Sequence, residues 1–402
     1  MKAIIVGAGL GGLLSAAKLS QKGYEVEVFE RLPIIGGRFT NIKYKGFTLS
    51  TGALHMIPHG NRGPLGQLLK DVGAKVNIVQ SNPMAVVRLK NQETFKDIPF
   101  ESFASPLSFK NKLKLALLTL KSKMAKPGEI SFRDWFYPYI NDEWIVRFAD
   151  SFCGWAISLR SADVPAKEAI AIIGNVRRFG GPGVPVGGCG AVVEALKDVI
   201  ESNGGMLHTR TKVERIEVKD GKAAGVVAGN QEFGADIVIS DTGHEETGKL
   251  CCDMDYNLAL MRNPGCPRPS EGIKICLSSD EPLIGHTGVL FTPYCERING
   301  INEVTNADPS LAPEGKHLVM SHQALLSGDV ESEIRLGLRD LRSLFPKANY
   351  EVLMVQSYRG SWPVNRAASG CDAGNETPVK HLYVVGDGAK GKGGIEVEGI
   401  AM

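Results

Sequence analysis

Residues Lys2 to Phe39 read KAIIVGAGLGGLLSAAKLSQKGYEVEVFERLPIIGGRF, and this stretch decides the fold. Lys2 to Val6 is a short apolar run suited to a buried parallel strand. In the GAGLGG that follows, Gly7, Gly9 and Gly12 fill a G-x-G-x-x-G pattern. Leu13 to Lys22 then carries helical spacing until Gly23 stops it, and Glu25 to Glu30 alternates as a second strand. Strand, glycine turn, helix and strand within about thirty residues form the opening of a dinucleotide-binding unit. Gly7 permits the tight turn, Gly9 lets backbone approach a pyrophosphate, and Gly12 lets helix and strand pack closely. The pyrophosphate is expected on the unpaired N–H groups and positive dipole end of the helix. Glu30 ends the second strand, where a carboxylate accepts hydrogen bonds from ribose hydroxyls and disfavours a 2′-phosphate. Its neighbour Arg31 is assigned to the same cofactor contact. Just beyond, Gly36 and Gly37 suit a second close backbone approach, with Arg38 offering a bidentate charge to the diphosphate.

Two later stretches have the character of parts returning to that unit. Pro185 to Ile200 is a glycine turn feeding an amphipathic helix, ended by Gly204-Gly205. Strands are expected at Met206 to Thr211 and Val213 to Val218, a hairpin turn at Asp220-Gly221, and an apolar strand at Ala235 to Ser240. Near the end, His381 to Val385 is an apolar strand running into Gly386-Asp387, which suits a carboxylate at the tip of a parallel sheet.

These segments together resemble the FAD-dependent superfamily that contains phytoene and carotene desaturases, protoporphyrinogen oxidase and amine oxidases. Gly7, Gly9, Gly12, Glu30, Gly36, Gly37 and Arg38 match its N-terminal signature residue by residue. The resemblance implies tightly bound FAD, with the backbone of Val213 holding the adenine and Asp387, after Gly386, bonding the ribityl chain. It further implies that the Val397-Glu398-Gly399 turn faces the N1 and O2 edge of the flavin, stabilising negative charge there. In that family the turn opens a helix of several turns, so a native tail longer than Met402 is expected. The implied fold is α/β: a Rossmann-like FAD-binding domain of the glutathione-reductase-related type, discontinuous in sequence, with an inserted α+β substrate domain. The expected boundaries are 1–75, 185–249 and 366–402 for the FAD domain and 76–184 and 250–365 for the substrate domain.

Composition agrees with such an enzyme and excludes other classes. At 402 residues the chain holds two or three structural units. With 46 basic against 44 acidic side chains, the net charge of +2 gives no general attraction to nucleic acid. The eight cysteines include no C-x-x-C pair and no histidine spacing typical of zinc, so no metal site is expected and a reducing cytoplasm fits. Glycines break the first apolar run, which is wrong for an export signal, and no stretch approaches ~20 apolar residues.

The remaining segments carry the substrate question. Lys110 to Lys126 is a basic amphipathic helix with Leu113, Leu117 and Leu120 on one face. Those leucines either enter the core under solvated lysines or dip into a membrane surface, so peripheral membrane contact stays open. Ser131 to Trp155 is rich in aromatic residues, which suit a core or the wall of an apolar tunnel. His55, after Thr51-Gly52-Ala53, is the one candidate proton acceptor, and Trp362, in GSWPVNR, is a candidate substrate contact. Arg359 or Arg366 is a candidate to steer an anionic group. The expected function is an FAD-dependent oxidoreductase that dehydrogenates a small apolar or amphipathic, isoprenoid-like substrate, with hydride passing to flavin N5. Protoporphyrinogen or amine oxidase chemistry, flavin-dependent isomerisation, and a non-catalytic binding protein like the Rab GDP-dissociation inhibitors are the alternatives.

Overall fold

The computed structural model describes residues 1–91, 94–124, 127, 130–251, 269–366 and 374–389. At its centre lies a parallel sheet whose five strands come from widely separated parts of the chain. The order is Leu382–Val384, Ile237–Ser240, β1 (Lys2–Val6), β2 (Glu25–Phe29) and Met206–His208. Alternation along β1 shows why this sheet is buried on both faces. Ala3 and Ile5 join a core with Leu13, Ala17, Val193 and Leu196, from helices α1 (Leu10–Gln21) and α7 (Cys189–Ser202). Ile4 and Val6 face the other way, onto Val213, Ile216 and Val226 of a three-stranded antiparallel meander. The meander turns through Asp220 (φ 50°) and Gly221 (φ 70°), the pair of positive φ angles that the Asp-Gly hairpin signal requires.

Two expectations shift in this layer. Helix α1 begins at Leu10 rather than Leu13, because Gly11 and Gly12 form its first turn instead of preceding it. Strand β2 is not half-exposed: Val26 to Phe29 are all buried, since helices cover one face and the meander the other. Its buried Glu27 is tolerated through Lys2, at 2.6 Å, and His208, at 2.7 Å.

A second sheet of seven strands runs Tyr350–Tyr358, Gly272–Ser279, His317–Ala324, Gly300–Glu303, Val289–Phe291, Ala85–Asn91 and Thr94–Pro99. Its pairings are antiparallel except where Val289–Phe291 meets Ala85–Asn91. Helices α2 (Pro64–Asp71), α3 (Phe109–Met124), α4 (Phe132–Phe136), α5 (Glu143–Ile157) and α6 (Ala166–Phe179) come from the chain between β2 and α7. Phe132, Phe136, Trp144, Phe152 and Trp155 are buried in one apolar cluster, as the core reading of the aromatic segment expects, while Tyr137 and Tyr139 are exposed. Helix α3 behaves otherwise. It buries Leu118 and leans Leu115 on the cluster, whereas Leu113, Leu117 and Leu120 stay exposed, so the core reading of those three leucines is corrected.

Candidate cofactor site and apolar pocket

The glycine turn lies at the C-terminal edge of the parallel sheet, where β1 hands over to α1. Gly7 has φ +96°, a conformation that a side chain would strain. The N–H of Ala8 donates to Glu30 Oε2 at 2.9 Å, and the N–H of Leu32 donates to Oε1 at 2.8 Å. The buried carboxylate of Glu30 is thereby fixed beside the turn, with a lone pair left on each oxygen for a further donor. Gly36 docks against the same turn, its N–H bonding the Ala8 carbonyl at 2.6 Å.

Asp387 closes the site from the opposite end of the sequence. Its Oδ2 accepts from Arg38 Nη2 at 2.5 Å and from the backbone N–H of Arg366 at 2.7 Å. The Arg366 guanidinium reaches Oδ1 at 3.3 Å. Arg38 Nη1 also donates to the carbonyls of Pro363 and Val364, at 2.8 and 2.7 Å. Burial alone would raise the Asp387 carboxyl, but the Arg38 and Arg366 guanidiniums outweigh it and hold the group below its ordinary value. The GSWPVNR segment thus delivers backbone carbonyls and Arg366 to the site.

Asp241, just past the Ile237–Ser240 strand, sits in the middle of this arrangement. A Cβ placed on Gly9 or Gly386 would overlap its carboxylate, and one on Gly11 would lie 2.7 Å from the Gly386 backbone. Only glycines allow these three segments to close around one carboxylate. Burial pushes Asp241 up to about 7, against the pull of Arg366, the Gly12 N–H and Arg38 and with the help of Asp387. A diphosphate requires the same features: helix N-terminal N–H groups, no side chains in the way, and nearby guanidiniums. The residues present fit FAD.

Residues 50–59 lead from this site to an apolar cavity. Lys274, fully buried in the second sheet, donates to Ser50 O at 2.7 Å, Ser50 Oγ at 2.8 Å and Gly52 O at 2.6 Å. Burial lowers its affinity for a proton. Tyr358 adds a bond from its hydroxyl to the Thr51 carbonyl at 3.2 Å. Beyond this clamped turn the chain alternates: His55 turns inward, while Leu54 and Met56 line a cavity of about 120 Å³ with Phe152, Trp155, Ile172 and Phe291. His59 is among its few polar lining residues, and no acidic side chain lines it among the described residues.

The sequence matches, over residues 10–399, the family described as flavin containing amine oxidoreductase. The chain belongs to that family. A crystal structure of an oxidoreductase from Methanosarcina mazei is similar to this flavin-containing oxidoreductase at 55% identity and a TM-score of 0.96, covering 100% of this chain and 98% of that one. An uncharacterised protein of Methanocaldococcus jannaschii is 48% identical, over 100% of this chain and 97% of its own length. A prolycopene isomerase from an Oncidium hybrid is 27% identical, over 79% of this chain and 63% of its own length. The cofactor of this flavin-containing oxidoreductase is FAD, and no helix among the described residues is long and apolar enough to cross a membrane.

Gly7, Gly9, Gly12, Gly36, Gly37, Glu30, Arg38, Gly386 and Asp387 therefore come together, although they span almost the whole of this flavin-containing oxidoreductase. Val213 begins the meander strand beside them, two residues after Thr211, whose N–H donates to the Glu30 carbonyl at 2.8 Å. Arg31 is exposed. Trp362 is half-buried next to the Pro363 and Val364 carbonyls that hold Arg38. Val397 lies outside the described residues. Sequence reading missed Asp241 and Lys274.

His55 is fully buried, and its Nε2 accepts the N–H of Cys189 at 3.3 Å, at the N-terminus of α7. Burial and then Lys274 push its imidazole down to about 3, and the same two causes hold His322 at about 3. A histidine kept neutral in the fold contributes stability that is complete above its unfolded value of 6.5 and is lost as pH falls toward about 3. At about pH 5 that loss is about 2 kcal/mol per histidine. His322→Gln, which cannot take up the proton, is therefore expected to unfold with about 2 kcal/mol less acid-induced loss than the parent between neutral pH and about pH 5. Urea melts of both proteins at the two pH values measure this, and equal losses would contradict it.

Proposed function

We propose that the protein is an FAD-dependent dehydrogenase, or desaturase, of an apolar isoprenoid-like substrate. The observation that carries this reading is the lining of the cavity beside residues 50–56: aliphatic and aromatic side chains, without an acidic partner among the described residues. Such a wall offers an ammonium substrate no carboxylate and a porphyrin-type acid no lysine or arginine among the described residues, but it removes hydrocarbon from water at about 25 cal/mol per Å². A void of about 120 Å³ is on the scale of the ~150 Å³ cavity that accepts benzene, so it seats one end of a chain rather than the whole.

FAD, when bound, supplies the hydride acceptor. The protein's share is positional. Lys274 and Tyr358 fix the Ser50–Gly52 turn, so that Leu54 and Met56 present a rigid apolar floor. Phe152, Trp155 and Phe291 exclude water from the reacting carbons. A second reading, isomerisation of a polyene without net oxidation, draws support from the similarity to a prolycopene isomerase.

Anaerobic mixing of the yellow protein with isoprenoid polyenes, porphyrinogens and amines tests the proposal. Bleaching by the polyene or its partly saturated precursor alone is expected. Geometric isomerisation without bleaching would favour the second reading, and bleaching by an amine or porphyrinogen alone would overturn both. Ala156→Phe, which fills the cavity, is expected to keep its FAD yet bleach about a hundredfold more slowly, the scale of loss for a substrate misplaced by ~1 Å.

A further inference from the structure

Helix α3 carries two apolar faces, and among the described residues only one of them packs into the core. Leu115 and Leu118 pack on the cluster that also contains the cavity residues Phe152 and Phe291. On the opposite side Phe109 is 84% exposed, Leu113 56%, Leu117 59% and Leu120 55%. At 100° per residue these four fall within an arc of about 80°, in one continuous stripe along the helix. The borders of the stripe are basic: Lys110, Lys114 and Lys121 run along one flank and Lys112 along the other. Lys121 is steered across Tyr139, its ammonium 4.4 Å from the ring centre. The sequence of α3, FKNKLKLALLTLKSKM, contains no acidic residue.

We infer that this face of α3 docks on an anionic lipid surface. A convex stripe of Phe and Leu between rows of lysine suits a flat partner that is apolar at depth and negatively charged at its surface, which describes a bilayer rather than a groove on a protein. Leucines at this exposure leave apolar area in water unless something covers it. The lysine stems reach over the same stripe while their ammonium groups stay in the headgroup layer. The docking stands on the helix alone and does not depend on which substrate the cavity takes.

Flotation of the FAD-loaded protein with extruded vesicles tests the inference. Vesicles of phosphatidylcholine with phosphatidylglycerol are expected to carry the parent upward at low salt and to release most of it at high salt. Pure phosphatidylcholine is expected to carry at least about tenfold less. Leu113→Glu/Leu117→Glu is expected to lose at least about tenfold of the bound fraction while remaining yellow, which reports an intact fold. Absence of flotation with the anionic vesicles would overturn the docking, as would a double variant that floats like the parent. It would also be overturned if the parent sediments as a dimer that the double variant dissolves, with neither protein floating, since the stripe would then belong to a second copy of the chain.

Discussion

Asp387→Ala is expected to purify colourless and to unfold about 3–5 kcal/mol more easily than the parent. The carboxylate has 9% of its side chain exposed, and its partner Arg38 only 15%. Removing it strands a guanidinium that then has, among the described residues, the Pro363 and Val364 carbonyls, and it leaves the backbone N–H of Arg366 without that acceptor. The cost arises from that uncompensated charge more than from the lost attraction. FAD should be lost as well, because Arg38 and Asp387 jointly anchor the strand tip to the IIGGRF turn on the cofactor's path. Denaturant melts of the FAD-free proteins give the stability change, and flavin fluorescence titration in mild conditions gives the affinity change separately. In the Arg38→Ala/Asp387→Ala double variant, the combined loss should fall well short of the sum of the single losses, since the second deletion removes the stranded charge. A yellow Asp387→Ala protein of parental stability would contradict the pairing's role.

The second large effect concerns pH. Asp241 is held at about 7 by burial, with Arg366, the Gly12 N–H and Arg38 pulling its value down and Asp387 pushing it up. Its carboxyl occupies the space between the glycine turn and Gly386. Below about 7 the group is neutral, and a diphosphate beside it meets a hydroxyl able to donate. Above that value two anions share the cradle. The dissociation constant for FAD is therefore expected to climb with pH above about 7, by up to about tenfold per unit, while Asp241→Asn stays nearly flat. Titrations from about pH 6 to about pH 9 measure both slopes. Parallel slopes for parent and variant would remove Asp241 from the cradle.

Much of this site is legible in the sequence because it is local. The glycine turn, Glu30 and the IIGGRF turn work through spacings of a few residues, and a strand followed by Gly-Asp announces Asp387 as a carboxylate at a sheet edge. Asp241 also follows an apolar parallel strand, ADIVIS, and the same reasoning would have found it. Lys274 left a fainter signal, a single charge inside the otherwise apolar run GIKICL, and its meaning depends on carbonyls more than two hundred residues away in sequence. Strand β2 looks half-exposed in sequence because its glutamates alternate, yet Glu27 finds Lys2 and His208 only after folding. On α3 periodicity shows that there are apolar faces but not which is covered. Leu115 and Leu118 compete with Leu113, Leu117 and Leu120 for the same core, and the tertiary fold decides.

The central claim is that three stretches, distant in sequence, make one FAD site. A crystal structure of the protein saturated with FAD tests it most directly. One FAD per chain is expected, with its diphosphate at the Gly7–Gly12 turn, its ribose hydroxyls on Glu30 and its ribityl chain beside Arg38 and Asp387. Flavin bound elsewhere, leaving Glu30, Arg38 and Asp387 with only the partners they have now, would contradict the account.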